Sequence, residues 1–88
     1  MARSRKQTAT RLPVRTRDPA ELGKIVRAAR TRVGMDQESA AGLLGVGTRF
    51  LGELERGKQT ARLGLALQVL DRLGLECWIA PRGWTPKQ

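Results

Sequence analysis

Four stretches of this chain space their apolar residues three and four apart, and a fifth, shorter one alternates them. The first begins at Asp18-Pro19, an N-cap acceptor followed by proline at the first helical position. Glu21 falls where a carboxylate returns to the cap and meets the helix dipole favourably. Leu22, Ile25, Val26, Ala29 and Val33 then form one stripe, with Lys24, Arg27 and Arg32 outside it, until Gly34 stops the helix. A second helix is expected over Gln37 to Leu44 with Asp36 as its cap. A third is expected from Thr48 to Arg56, capped only by Gly47 and stopped by Gly57. Across this pair Ala40, Leu43, Leu44 and Val46, then Leu51 and Leu54, point one side inward. Thr60 is the expected cap of a fourth helix, Ala61 to Leu73, with Leu63, Leu67, Val69, Leu70 and Leu73 apolar and Gly74 at its end. The period then changes from helical to two. Leu75, Cys77 and Ile79 alternate with Glu76, Trp78 and Ala80, which predicts a strand over Leu75 to Ala80 ended by Pro81. The remaining residues, Arg82 to Gln88, read as a tail.

The pattern sets the organisation. Residues 1–17 are a basic arm, partly disordered or extended; 18–74 a compact helical domain; 75–80 a strand; 81–88 a tail. Only Phe50, Trp78 and Trp84 are aromatic, so the core has to be built from Leu, Val, Ile and Ala, which suits close-packed helices. Eighty-eight residues allow one small domain. Cys77 stands alone and reads as a small buried apolar residue. No stretch resembles a signal peptide or a membrane span, so a cytoplasmic protein is expected.

Charge narrows the function. The formal net charge is +9, and the arm alone holds Arg3, Arg5, Lys6, Arg11, Arg15 and Arg17 with no acid, or +6. Such an arm gains affinity for a polyanion by releasing counterions, although it also serves solubility. Within it, Leu12 and Val14 alternate with basic residues, which hints at a short extended edge segment. Enzyme chemistry finds little here. The chain has no histidine, so general-base catalysis near neutrality and most zinc sites lose their commonest group. No Gly-rich phosphate loop follows an apolar strand, and the eight acids are scattered. The expectation is a binding module, not an enzyme, with no cofactor and no metal. Two short helices joined through Gly45, in Met35 to Gly57, form the helix-turn-helix pattern, whose second helix enters the DNA major groove. On that geometry Arg56, Lys58, Gln59 and Arg62 follow the reading helix and would flank the groove as phosphate contacts.

The run LGKIVRAARTRVGMDQESAAGLLGVGTRFLGELERGK, continued by QTARLGLALQVLDRLGL, resembles the Cro/repressor (XRE-type) helix-turn-helix domains. More narrowly it is similar to the HipB-like antitoxins. The likeness covers about Leu22 to Leu75 and rests on the Gln opening the second helix, its Ala-Ala pair and the closing Glu-Arg-Gly-Lys. It implies a mainly α, lambda repressor-like four-helix domain, and the strand after the fourth helix favours the HipB branch. The resemblance further implies an ion pair between Arg30 and Glu55, fixing the angle between the first helix and the reading helix. It places Thr48 and Arg49, with Glu53 one turn on, against base edges, where Arg bonds guanine and Glu accepts from cytosine. It assigns Gln37 a phosphate. Phe50 and Gly52 depart from the usual pattern. Phe50 either touches a thymine methyl or packs on the second helix, and the sequence does not explain Gly52.

Three functions remain in view. The first is a DNA-binding antitoxin that represses its own operon as a homodimer on a palindromic operator and binds a HipA-like kinase toxin, in the bacterial cytoplasm with the nucleoid. A free-standing XRE-type repressor without a toxin is the second, and a basic RNA- or protein-interaction module the third. The dimer is expected through the strand, with Leu75, Cys77, Trp78 and Ile79 as its residues, and through the apolar face of the fourth helix, because an isolated edge leaves backbone groups unpaired. Trp84, in an otherwise polar tail, is the candidate toxin contact.

Overall fold

A computed structural model describes residues 12–84, in which four helices run in the order α1 (Pro19–Arg32), α2 (Gln37–Leu44), α3 (Thr48–Glu55) and α4 (Leu63–Arg72). The helix starts follow local chemistry. Asp18 accepts from the Glu21 N–H at 2.8 Å, with Pro19 at the first position of α1. The Glu21 carboxylate reaches one residue past the cap and accepts from the Arg17 N–H at 2.6 Å. Asp36 does the same work on α2, accepting from Ser39 N–H at 2.7 Å. All four helices run into a glycine at positive φ, Gly34, Gly45, Gly57 and Gly74. Each glycine turns the chain so that the next residue donates back into the last turn, as Leu75 does to the Leu70 carbonyl at 2.9 Å.

Val26, Leu51 and Val69 are fully buried at the centre, closed in by Ala40, Ala41, Leu44, Leu54, Ala66 and Leu70. One residue each from α1, α3 and α4 thus forms the middle of the core, and α2 covers it with two alanines that let its backbone come close. Gly23 sets the approach of α1 to α3. A Cβ there would lie 2.5 Å from both the Leu54 and Glu55 carbonyl oxygens, so only glycine lets these two helices sit at this distance. Gly57 continues the same seam, its Cα facing the backbone of Ala20.

Several expectations are corrected. The segment Leu75 to Ala80 is not a strand, and none is present among the described residues. Glu76 and Trp78 do meet, the indole N–H donating to the Glu76 carboxylate at 3.0 Å. A strand needs a ladder, and among the described residues no other segment pairs with this one. Cys77 is accordingly exposed, not buried, and Ile79 is 97% exposed. Helix α4 starts at Leu63 behind Arg62, which makes no side-chain cap; Thr60 lies in a turn closed by Ala61 N–H on the Lys58 carbonyl. Val33 and Leu43 point to solvent. Val33 follows the last helical residue of α1 and leaves its register, whereas α2 buries Ala41 in place of Leu43. Residues 12–17 are exposed and irregular, with Leu12 beside Ile25, Ala29 and Leu73 in a groove between α1 and the residues that follow α4. The basic arm up to residue 11, and the tail beyond Trp84, lie outside the described residues.

Candidate nucleic-acid interface

Helix α3 is amphipathic, and its two faces have separate roles. Leu51, Gly52, Leu54 and Glu55 are buried, while Thr48 and Arg49 at its N-terminal end are exposed. The turn that presents this end is held from a third helix. Gln68 of α4 donates to the Leu44 and Gly45 carbonyls at 2.9 and 3.3 Å, and Arg72 donates to Leu44 at 3.2 Å. These carbonyls are otherwise free at the end of α2, where a cation also meets the negative end of the helix dipole. Any side chain at position 45 would collide with the Arg72 and Gln68 tips, a second reason for glycine besides its φ of 74°. The sequence pattern missed Gln68 and Arg72. Their only signal is a spacing of four on the polar side of α4, which most solvated helices share.

Arg30 of α1 and Glu55 of α3 lie together on the buried side of α3. Arg30 Nε donates to Glu55 Oε2 at 2.6 Å, Nη2 to Oε1 at 2.9 Å, and Nη1 to the Met35 carbonyl at 2.7 Å. Gln37 Nε2 adds a bond to Glu55 Oε1 at 3.0 Å. Both charged residues are buried, and no buried side-chain polar atom among the described residues lacks a partner. Burial pushes the Glu55 carboxyl up, but the bonds from Arg30 and Gln37 outweigh it and hold the group below the ordinary carboxylate range. The network ties α1, the start of α2 and the end of α3 at one point.

Gln37 therefore has its amide on Glu55, and the N-terminus of α2 already holds the Asp36 carboxylate. Gly52 accounts for the room it occupies. A Cβ at position 52 would stand 3.3 Å from both the Gln37 Oε1 and the Arg56 Nη1. Glu53 is also engaged: Arg49 Nε donates to its Oε2 at 3.3 Å and Lys58 Nζ to its Oε1 at 3.1 Å. Arg56, Lys58, Gln59 and Arg62 are all exposed along the rim that follows α3. Phe50 is half-buried and packs against the core. Trp84 is 49% exposed, on a turn closed by its N–H to the Pro81 carbonyl at 3.1 Å.

Residues 26–77 match the helix-turn-helix family model, more than half of the chain. The chain belongs to the helix-turn-helix family, of the XRE type. A relative in this family, the uncharacterized HTH-type transcriptional regulator y4mF of Sinorhizobium fredii (strain NBRC 101917 / NGR234), is 47% identical over 60 residues. That alignment covers 68% of this chain and 79% of the relative. Among solved structures, the helix-turn-helix protein of a HipB–O4 20mer complex superimposes with a TM-score of 0.71 at 17% identity, over 80% of this chain and 99% of that one. A HipA–HipB–O2–O3 complex gives the same TM-score, identity and coverage. At that identity the likeness establishes the fold. No helix among the described residues is long and apolar enough to cross a membrane.

Proposed function

We propose that this protein is a sequence-specific DNA-binding antitoxin that acts as a homodimer, represses its own operon in the bacterial cytoplasm and binds a HipA-like kinase toxin. The carrying observation is the exposed N-terminal end of α3, Thr48 and Arg49, on a helix anchored from below by a buried ion pair. A reading helix has to present its first turn to base edges without rocking, and this arrangement supplies both conditions. Thr48 and Arg49 then face bases, with Glu53 on the same side. Arg56, Lys58, Gln59, Arg62 and the free hydrogen of the Gln37 amide reach phosphates, which fix register without reading sequence.

The dimer and the toxin rest on surface. Leu63 is 70%, Trp78 75% and Ile79 97% exposed, an apolar set that a second copy would cover. Trp84 remains the proposed toxin contact, supported by the HipB likeness and by its position on an exposed turn. A free-standing repressor is favoured by one observation: the relative named an HTH-type transcriptional regulator is far more identical to this chain than HipB is. A basic RNA- or protein-binding module is the third reading, and it expects no preference for a palindrome.

Selection of bound sites from random double-stranded DNA tests the reading. The wild-type protein should enrich a two-fold symmetric site. Arg49→Ala should lose about 1–3 kcal/mol of discrimination at one base pair in each half-site. Arg62→Ala should weaken all sequences alike and flatten the salt dependence. Equal loss on selected and random DNA for Arg49→Ala would remove α3 from base reading. Co-purification of a kinase-like protein with the full chain from its host separates the antitoxin from the free repressor.

A further inference from the structure

Glu53 sits where a base-reading carboxylate would be expected, yet both of its oxygens are taken by cations of its own chain. Lys58 holds Oε1 at 3.1 Å and Arg49 holds Oε2 at 3.3 Å. The Lys58 bond is built into the backbone: the Lys58 N–H donates to the carbonyl of Glu53 itself at 3.0 Å, closing the end of α3 and bringing the lysine stem alongside. Exposure divides the roles within the trio. The Glu53 side chain is 22% exposed and the Arg49 side chain 91%, so the carboxylate is the fixed member and the guanidinium projects from it. The hydrogen bond from Lys58, and behind it that from Arg49, hold the carboxyl below its ordinary range, so it stays charged at neutral pH.

The bond to Arg49 uses only Nε. A guanidinium has five N–H donors in a planar fork, and engaging Nε occupies its side edge. Nη1 and Nη2 remain free at the far end, the pair of donors that matches guanine O6 and N7. A flexible arginine also pays for ordering when it binds, and a carboxylate that already orients it removes part of that cost. We propose that Glu53 is a positioning residue, one that reads no base itself and determines specificity by holding Arg49 end-on to a guanine while Lys58 keeps the carboxylate in place. This rests on the reading of α3 as the base-facing helix.

The test compares wild type, Glu53→Gln, Arg49→Ala and the double variant of the full chain, each first shown by thermal unfolding to be folded. Sites are selected from random double-stranded DNA, and binding is measured to the selected site and to its single-base-pair variants. Glu53→Gln should lose roughly three- to tenfold of the discrimination at the same base pair that Arg49→Ala affects. The double variant should lose no more there than Arg49→Ala alone, as expected for residues acting through one contact. Binding of Glu53→Gln to random DNA should strengthen, since one negative charge is removed. A loss at a different base pair, additive with Arg49→Ala, would show that Glu53 contacts a base and overturn the proposal. Unchanged discrimination would overturn it as well. A wild-type protein that selects no site fails at an earlier step, and the DNA reading and the Glu53 assignment fall together.

Discussion

Replacing Arg30 by alanine removes two hydrogen bonds to Glu55 and one to the Met35 carbonyl, and leaves the Glu55 carboxylate with Gln37 alone. Arg30 is 8% and Glu55 9% exposed, so water reaches the stranded charge poorly. Breaking one side of a buried pair costs about 3–5 kcal/mol, against roughly 5–15 kcal/mol for the stability of a whole domain. Arg30→Ala should therefore lose a large share of the domain's stability. Glu55→Gln keeps the shape and one acceptor while losing the charge, and should cost about 2 kcal/mol, the scale of one hydrogen bond to a charged group. Combining Arg30→Met with Glu55→Leu desolvates no charge at all. That double variant should recover most of the loss, because a buried pair is often worth no more than apolar residues of similar size. Urea unfolding followed by far-UV circular dichroism gives each value, and the double-mutant cycle gives the coupling. A cost below about 1 kcal/mol for Arg30→Ala would place the pair with exposed ion pairs and refute the argument that it anchors α3.

Three further outcomes follow from the same structure. Gly23→Ala would put a Cβ 2.5 Å from two backbone carbonyls that cannot swing aside, so α1 and α3 must separate. A loss of about 1–3 kcal/mol or more is expected in thermal unfolding, despite alanine's better helix propensity. In acid, Glu55 and Asp36 both have folded pKa values below their ordinary range, Asp36 chiefly through its bond from the Ser39 N–H. A depressed carboxyl contributes stability above its unfolded pKa, near 4, and loses it as pH falls through the folded value. Stability should thus be level from neutrality down to about pH 5 and fall below about pH 4, and Glu55→Gln should flatten that fall in a denaturation series against pH. Truncation after Gly74 removes Trp78 and Ile79 from the surface and should yield a monomer by light scattering; a truncated chain that stays dimeric would move the interface elsewhere.

The parts legible in the sequence were those governed by near neighbours. Asp18 and Asp36 cap their helices through a bond to a residue three positions on, and glycines end all four helices through bonds to the preceding turn. Such interactions close within a few residues, so spacing alone determines them. The exposed first turn of α3 was legible for the same reason, since the spacing of Leu51 and Leu54 fixes which side faces away. Tertiary structure decided the rest. Whether α2 buries Ala41 or Leu43 depends on which two helices flank it, and both choices satisfy one helical period. Gly23 and Gly52 look like weak points in their helices until the Leu54 and Glu55 carbonyls, or the Gln37 amide, are placed opposite them. Gln68 and Arg72 acquire a role only when α4 crosses the end of α2. Alternation in Leu75 to Ala80 did not make a strand, because a ladder is a property of two segments. In each case the deciding partner lies many residues away, and the pattern along the chain holds no record of the distance across it.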